Sequence, residues 1–188
     1  GSRKHTEMFQ QCACFLLGAF AVFFWLSNST MDHEQRTLIL GIGNLLMGDE
    51  GVGVHAARML EKEHFPDNVY VVDGGTGGFH LLSYLQEYDP IIMIDATMDG
   101  SPAGSLNILK PKFSIDFPRS LTAHDIGLRD LIEAASLTQG LPRIYLITVS
   151  IQGLSTLSTE LSPEVSASLA KIKNAVENIL NNKKLVGK

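Results

Sequence analysis

The sequence predicts an α/β domain, a three-layer αβα sandwich with a mostly parallel central sheet. Two observations carry that expectation. Runs that are apolar nearly throughout, such as Thr37-Leu38-Ile39-Leu40 and Ile91-Ile92-Met93-Ile94, suit strands buried on both faces. Helical patterns separate these runs, as crossovers between parallel strands require. The chain has 188 residues, 45% of them hydrophobic and 19% charged, enough to bury a core of that size in one domain.

Taken in order, Thr37 to Leu40 is the first strand, ended by Gly41 and Gly43. A helix is expected from Val52 to Glu63, with Val52, Ala56, Met59 and Leu60 on one face. Val69 to Val72 is the second strand, stopped by Asp73-Gly74-Gly75. Phe79, Leu82, Leu85 and Gln86 mark a helix running to Tyr88, and Pro90 then opens the strand Ile91 to Ile94. Pro102-Ala103-Gly104 is a turn into a short strand from Ser105 to Leu109, which suits an antiparallel edge. Thr122-Ala123-His124-Asp125 has the T-x-x-D form of a helix start, followed by the apolar face Leu128, Leu131, Ile132 and Ala135. Ile144 to Val149 is the last strand. Ser162-Pro163-Glu164 starts the final helix, with proline at its first position and Val165, Leu169, Ile172, Val176 and Leu180 along it.

The formal net charge is -5 and no Lys/Arg cluster lies outside the termini, which argues against a nucleic-acid partner. Cys12 and Cys14 sit in one N-terminal stretch, too close together to build a disulfide framework or a cysteine zinc site. A cysteine-free remainder fits a reducing cytoplasm, and a cytoplasmic location is expected. The basic start Arg3-Lys4-His5 precedes an apolar run from Cys12 to Leu26, shorter than the ~20 residues a bilayer core needs. No A-x-A cleavage pattern follows it, so it does not complete a signal peptide. An upstream extension outside the functional protein, an apolar helix that docks on the domain or on another copy, and a membrane anchor all remain open. The expectation adopted is an N-terminal apolar extension over residues 1–30, a functional domain over residues 31–188, and no membrane partner.

The segment Gly41-Ile42-Gly43-Asn44-Leu45-Leu46-Met47-Gly48-Asp49-Glu50-Gly51-Val52-Gly53 invites a nucleotide-binding reading, which fails. Leu46 stands where the dinucleotide fingerprint needs its third glycine, and no Lys-Ser/Thr pair follows any of these glycines. Asp49 and Glu50 also put negative charge where a pyrophosphate would sit on the helix N-terminus. Two alternatives stand. The glycines make a tight strand-to-helix turn that the acids merely cap, or the acids do chemistry. Asp95 directly follows Ile91 to Ile94, so it is expected at the carboxyl end of that strand, and His124 lies in the first turn of its helix, whose dipole favours a neutral imidazole. Loops at the carboxyl edge of a parallel sheet converge, so Glu50, Asp95 and His124 can form a site of two carboxylates and one imidazole. Such donors suit a first-row divalent ion and leave coordination positions open. The ordinary readings are a strand-end acid for Asp95 and a solvated or packed ring for His124; His55, His64 and His80 are given only ordinary roles.

From Thr37 to about Leu180 the chain resembles the hydrogenase maturation protease family. The resemblance rests on Gly41 to Leu46 with Gly48 to Gly53, then Asp73-Gly74-Gly75-Thr76, then Ile94-Asp95-Ala96, then Thr122-Ala123-His124 with Leu128, in that order. It implies an αβα sandwich and an endopeptidase that removes a C-terminal extension from a nickel–iron hydrogenase large-subunit precursor. It also implies that Glu50, Asp95 and His124 are the metal-binding and catalytic residues, and that the nickel is supplied by the substrate, with no resident cofactor. Gly43, Asn44, Asp73, Gly74, Gly75 and Thr76 are the substrate-binding residues implied, and no nucleotide is. Many relatives have a proline soon after the last core strand, whereas this chain runs Ser150-Ile151-Gln152-Gly153-Leu154, which bears on the choice of hydrogenase. The rival readings are an autonomous zinc-type metallopeptidase or amidohydrolase, and a non-catalytic nickel-sensing chaperone.

Overall fold

Every residue of β1 (Thr37–Gly41) and of β3 (Ile91–Thr97) is buried, as follows when a strand is covered on both faces. The computed structural model describes residues 35–78, 80–118, 132–133, 135–137, 140–153 and 157–184. In chain order these give β1, a 3₁₀ turn at Gly48–Gly51, α1 (Val52–Leu60), β2 (Val69–Asp73), α2 (Leu81–Glu87), β3, β4 (Leu106–Leu109), a second 3₁₀ turn (Ser114–Asp116), β5 (Ile144–Ser150) and α3 (Pro163–Lys184). The expected helix beginning at Thr122 lies outside the described residues up to Leu131, and so do the N-terminal stretch with Cys12 and Cys14 and the side chain of His124. Residues 132–133 and 135–137 are helical.

The sheet order is β2-β1-β3-β5-β4. β1 pairs in parallel with both β2 and β3, and β3 pairs in parallel with β5. Only β4 is antiparallel, at the edge beside β5. Side chains alternate between the faces, as the two-residue period of a strand dictates. Ile39, Ile92, Ile94, Ile147 and Val149 pack with Val52, Ala56 and Leu60 of α1 and with Ile172 and Val176 of α3. Leu38, Leu40, Ile91, Met93 and Leu146 face the other way, against Leu81 and Leu85 of α2 and against Ile132 and Ala135. Two apolar layers on opposite faces of one sheet are the αβα sandwich expected from the sequence. Truncating any of these buried leucines or isoleucines to alanine costs about 2–5 kcal/mol.

The order places a switch point between β1 and β3. The chain leaves β1 for β2 on one side and comes back to β3 on the other, so the loops after β1 and β3 part and leave a crevice at their carboxyl ends. Three elements have a boundary more than one residue from the sequence reading. α1 stops at Leu60, its last inward apolar position, and Lys62 and Glu63 close with bonds to Met59 O and Leu60 O. α2 begins at Leu81. β3 continues past Ile94 to Thr97, because β5 runs on beside it and pairs Asp95 with Thr148 and Thr97 with Ser150. Among the described residues no helix is long and apolar enough to cross a membrane.

Candidate active site

Three strands end at the crevice. Gly41 is in register with Asp73 on one side and Ile94 on the other, so β1 and β2 finish while β3 goes on. The departing loops are stitched together by backbone bonds. Ile42 N–H donates to Ile94 O at 2.8 Å, Gly74 N–H to Gly41 O at 2.8 Å and Gly43 N–H to Gly75 O at 2.8 Å. Glycine is required where these backbones close on one another. A Cβ at Gly53 would overlap the carbonyl oxygens of Ile42 and Ile94, and one at Gly43 would overlap the carbonyl oxygen of Glu50. These close approaches draw the 3₁₀ turn against the end of β3.

Glu50, in that turn, is 1% exposed. Asp95 is 0% exposed and lies within β3, one residue beyond the last rung that β3 shares with β1. The expectation that Asp95 follows its strand is therefore corrected. It is past the end of β1 but not past the end of β3, which keeps its backbone in the sheet while its β1 side opens onto the crevice. Its Oδ1 accepts from Ala96 N–H at 2.7 Å, and its Oδ2 has no hydrogen-bond partner among the described residues. Burial raises the Asp95 carboxyl well above the usual carboxylate range; the Ala96 bond opposes this, and the negative charge of Glu50 adds to it. Both carboxyl groups are thus buried at this end of the sheet, and the charge of Glu50 bears on Asp95. His124 lies outside the described residues, and among those described no third His, Cys, Asp or Glu joins the pair in a metal-holding group.

The neighbouring acid does something else. Asp49 Oδ1 accepts from Ser162 N–H at 2.6 Å, at the start of α3. Asp49 thus ties the turn to the start of α3, and the residue that opens α1 is Gly51, which has no side chain to cap it with. Asp73 is also committed: Oδ1 accepts from Gly75 N–H at 2.9 Å and Oδ2 from Arg58 Nε at 3.0 Å. Its carboxylate therefore shapes the Gly74-Gly75 turn and anchors it to α1. Asn44 Oδ1 accepts from Leu46 N–H at 3.0 Å, holding the other loop, while Thr76 is exposed beside the crevice. Sequence reasoning missed Arg58, which follows no motif, and the Asp49–Ser162 bond, whose partners are 113 residues apart. The Ser-Pro-Glu helix start at Ser162 was the one visible signal for the latter.

A mostly parallel sheet with two buried carboxylates, Glu50 and Asp95, at its switch point defines an α/β protein with a site at the carboxyl ends of its strands. Comparison with known proteins narrows the class. The family model for hydrogenase maturation proteases matches residues 54–182, beginning just beyond the Gly41–Gly53 segment. The chain is 36% identical over 130 residues to the hydrogenase expression/formation protein HupD of Bradyrhizobium diazoefficiens, a match covering 66% of each chain, so it spans just under two thirds of that relative's length. It is 34% identical over 150 residues to the hydrogenase 2 maturation protease of Escherichia coli, covering 78% of this chain and 89% of that one. The solved structure of the hydrogenase maturating endopeptidase HybD from E. coli superposes with a TM-score of 0.69 at 31% identity, over 81% of this chain and 94% of that chain. The chain belongs to the hydrogenase maturation protease family.

Proposed function

We propose that this protein is an endopeptidase that removes a short C-terminal extension from a nickel-loaded hydrogenase large-subunit precursor in the cytoplasm. The observation that carries the reading is the buried Glu50–Asp95 pair at the switch point of a hydrogenase maturation protease fold. Two carboxylates removed from water beside each other repel, and a divalent cation offsets that repulsion. Their oxygens, with the imidazole of His124, make a donor set suited to nickel, with coordination positions left for the substrate's own ligands. The nickel belongs to the precursor, and no resident cofactor is required. A precursor without nickel brings nothing to relieve the pair, so metal recognition doubles as a check on loading. Burial favours the neutral form of Asp95 before the precursor arrives, and the incoming cation displaces its proton.

The loops carrying Gly43, Asn44, Asp73, Gly74, Gly75 and Thr76 form the wall for the scissile peptide. Glycines there let substrate backbone come close, and Asp73 contributes by holding the turn in shape. Incubating nickel-loaded precursors with the protein and weighing the products tests the proposal. A loaded precursor that loses its C-terminal peptide supports it. An intact precursor released from its accessory proteins would point instead to a nickel-sensing chaperone.

A further inference from the structure

We propose that Asp49 is a positioning residue for the site, latching the segment 157–162 against the turn that carries Glu50; this rests on the function proposed above. The segment joins β5 to α3 and runs along residues 46–49 as a strap. At one end a backbone bridge holds it: Gly48 N–H donates to Ser158 O at 2.6 Å, and Ser158 N–H donates to Leu46 O at 2.9 Å. In the middle, His55 Nε2 of α1 lies 3.1 Å from Thr159 O. At the other end, Asp49 Oδ1 takes the Ser162 N–H at 2.6 Å, while Ser162 Oγ accepts from Val165 N–H at 3.4 Å.

Successive residues of a 3₁₀ turn point about 120° apart, since three residues complete one revolution. Asp49 therefore reaches back to α3 while Glu50, the next residue, is turned inward beside Asp95. The front of the turn is set by the close approach of Gly43 to Glu50, and the strap holds its back. Removing the Asp49 oxygen leaves the strap held only by the Gly48–Ser158 bridge near its other end and by the His55 contact at Thr159, which loosens the back of the turn and lets the Glu50 carboxylate drift. Partners one step removed from a metal ligand typically carry about 10–100-fold in affinity or activity.

The latch needs an acceptor oxygen and not a charge, so Asp49→Asn and Asp49→Ala separate it from a direct role. The measurements are hydrogen exchange in residues 46–51, calorimetric titration with cadmium chloride, and kcat and KM on nickel-loaded precursor. In Asp49→Ala, exchange at 46–51 should accelerate, and cadmium affinity and kcat should each fall about tenfold, with KM little changed. Asp49→Asn should recover most of each loss. Unchanged exchange in Asp49→Ala overturns the latch whether or not the precursor is cut, which separates its failure from failure of the peptidase reading. An Asn variant as impaired as the Ala variant also overturns it, because charge rather than an acceptor would then be what matters. Should Asp49→Ala fail to fold, His55→Ala releases the neighbouring tether at Thr159; it should show the same changes at smaller size, and unchanged exchange at 46–51 there overturns the latch equally.

Discussion

Replacing Asp95 with asparagine should stabilise the metal-free protein while destroying its function. The substitution keeps the size of the side chain and leaves Oδ1 to accept from Ala96 N–H, but it removes an ionisable group from a fully buried position. Its Nδ2 stands where Oδ2 had no partner among the described residues, and a permanently neutral amide replaces a group whose ionised form Glu50 disfavours. The sign follows from linkage. Burial raises the folded-state carboxyl above its ordinary value of 3.8. The stability it contributes is therefore fully present below that value and lost as pH rises through the folded value. Asparagine is neutral at every pH and does not suffer the loss. A buried group left without full compensation costs about 1–3 kcal/mol, which for a domain of this length is roughly 3–10 °C in Tm. Scanning calorimetry of both EDTA-treated proteins at neutral pH and near pH 4 measures this. The variant should melt higher at neutral pH, with the gap narrowing in acid. A variant that melts lower than the wild type at neutral pH, or a gap that ignores pH, would refute the placement of Asp95 as an ionisable group buried at a cost.

Gly53→Ala should destabilise the protein by about 3 kcal/mol or more, because the new Cβ meets two backbone carbonyls that cannot rotate away. The melting temperature should fall by roughly 10 °C, and a fall of a degree or two would show that α1 shifts freely on the sheet. Protein purified without added metal should contain far less than one equivalent of nickel or zinc by elemental analysis. A full equivalent of tightly held zinc would favour the autonomous metallopeptidase.

The strands were legible because they are apolar nearly throughout, and a run such as Ile91 to Ile94 has few stable placements other than a doubly covered sheet. Their polar ends were not. Asp95, Thr97 and Ser150 read as residues beyond their strands, yet β3 and β5 pair through them, Asp95 with Thr148 and Thr97 with Ser150, and bury them. The extra rungs come from the partner strand, which a local pattern does not contain. Glu50 was found by its place after a strand and before a helix, and its burial followed from glycines already visible in the sequence. The divergence of Asp49 from Glu50 was hidden, since the deciding donor belongs to a helix 113 residues away. The position of His124 in the trio comes from its helix-start pattern and the family resemblance, and lies outside the described residues.

The most direct test of the central claim compares one hydrogenase large-subunit precursor in nickel-loaded and nickel-free forms, each mixed with wild-type protein, Asp95→Asn or His124→Ala and followed by intact-mass spectrometry. Only the pairing of wild-type protein with loaded precursor should lose the C-terminal peptide. Equal cutting of the nickel-free form, or normal cutting by either variant, would contradict a site in which Glu50, Asp95 and His124 read the substrate's metal.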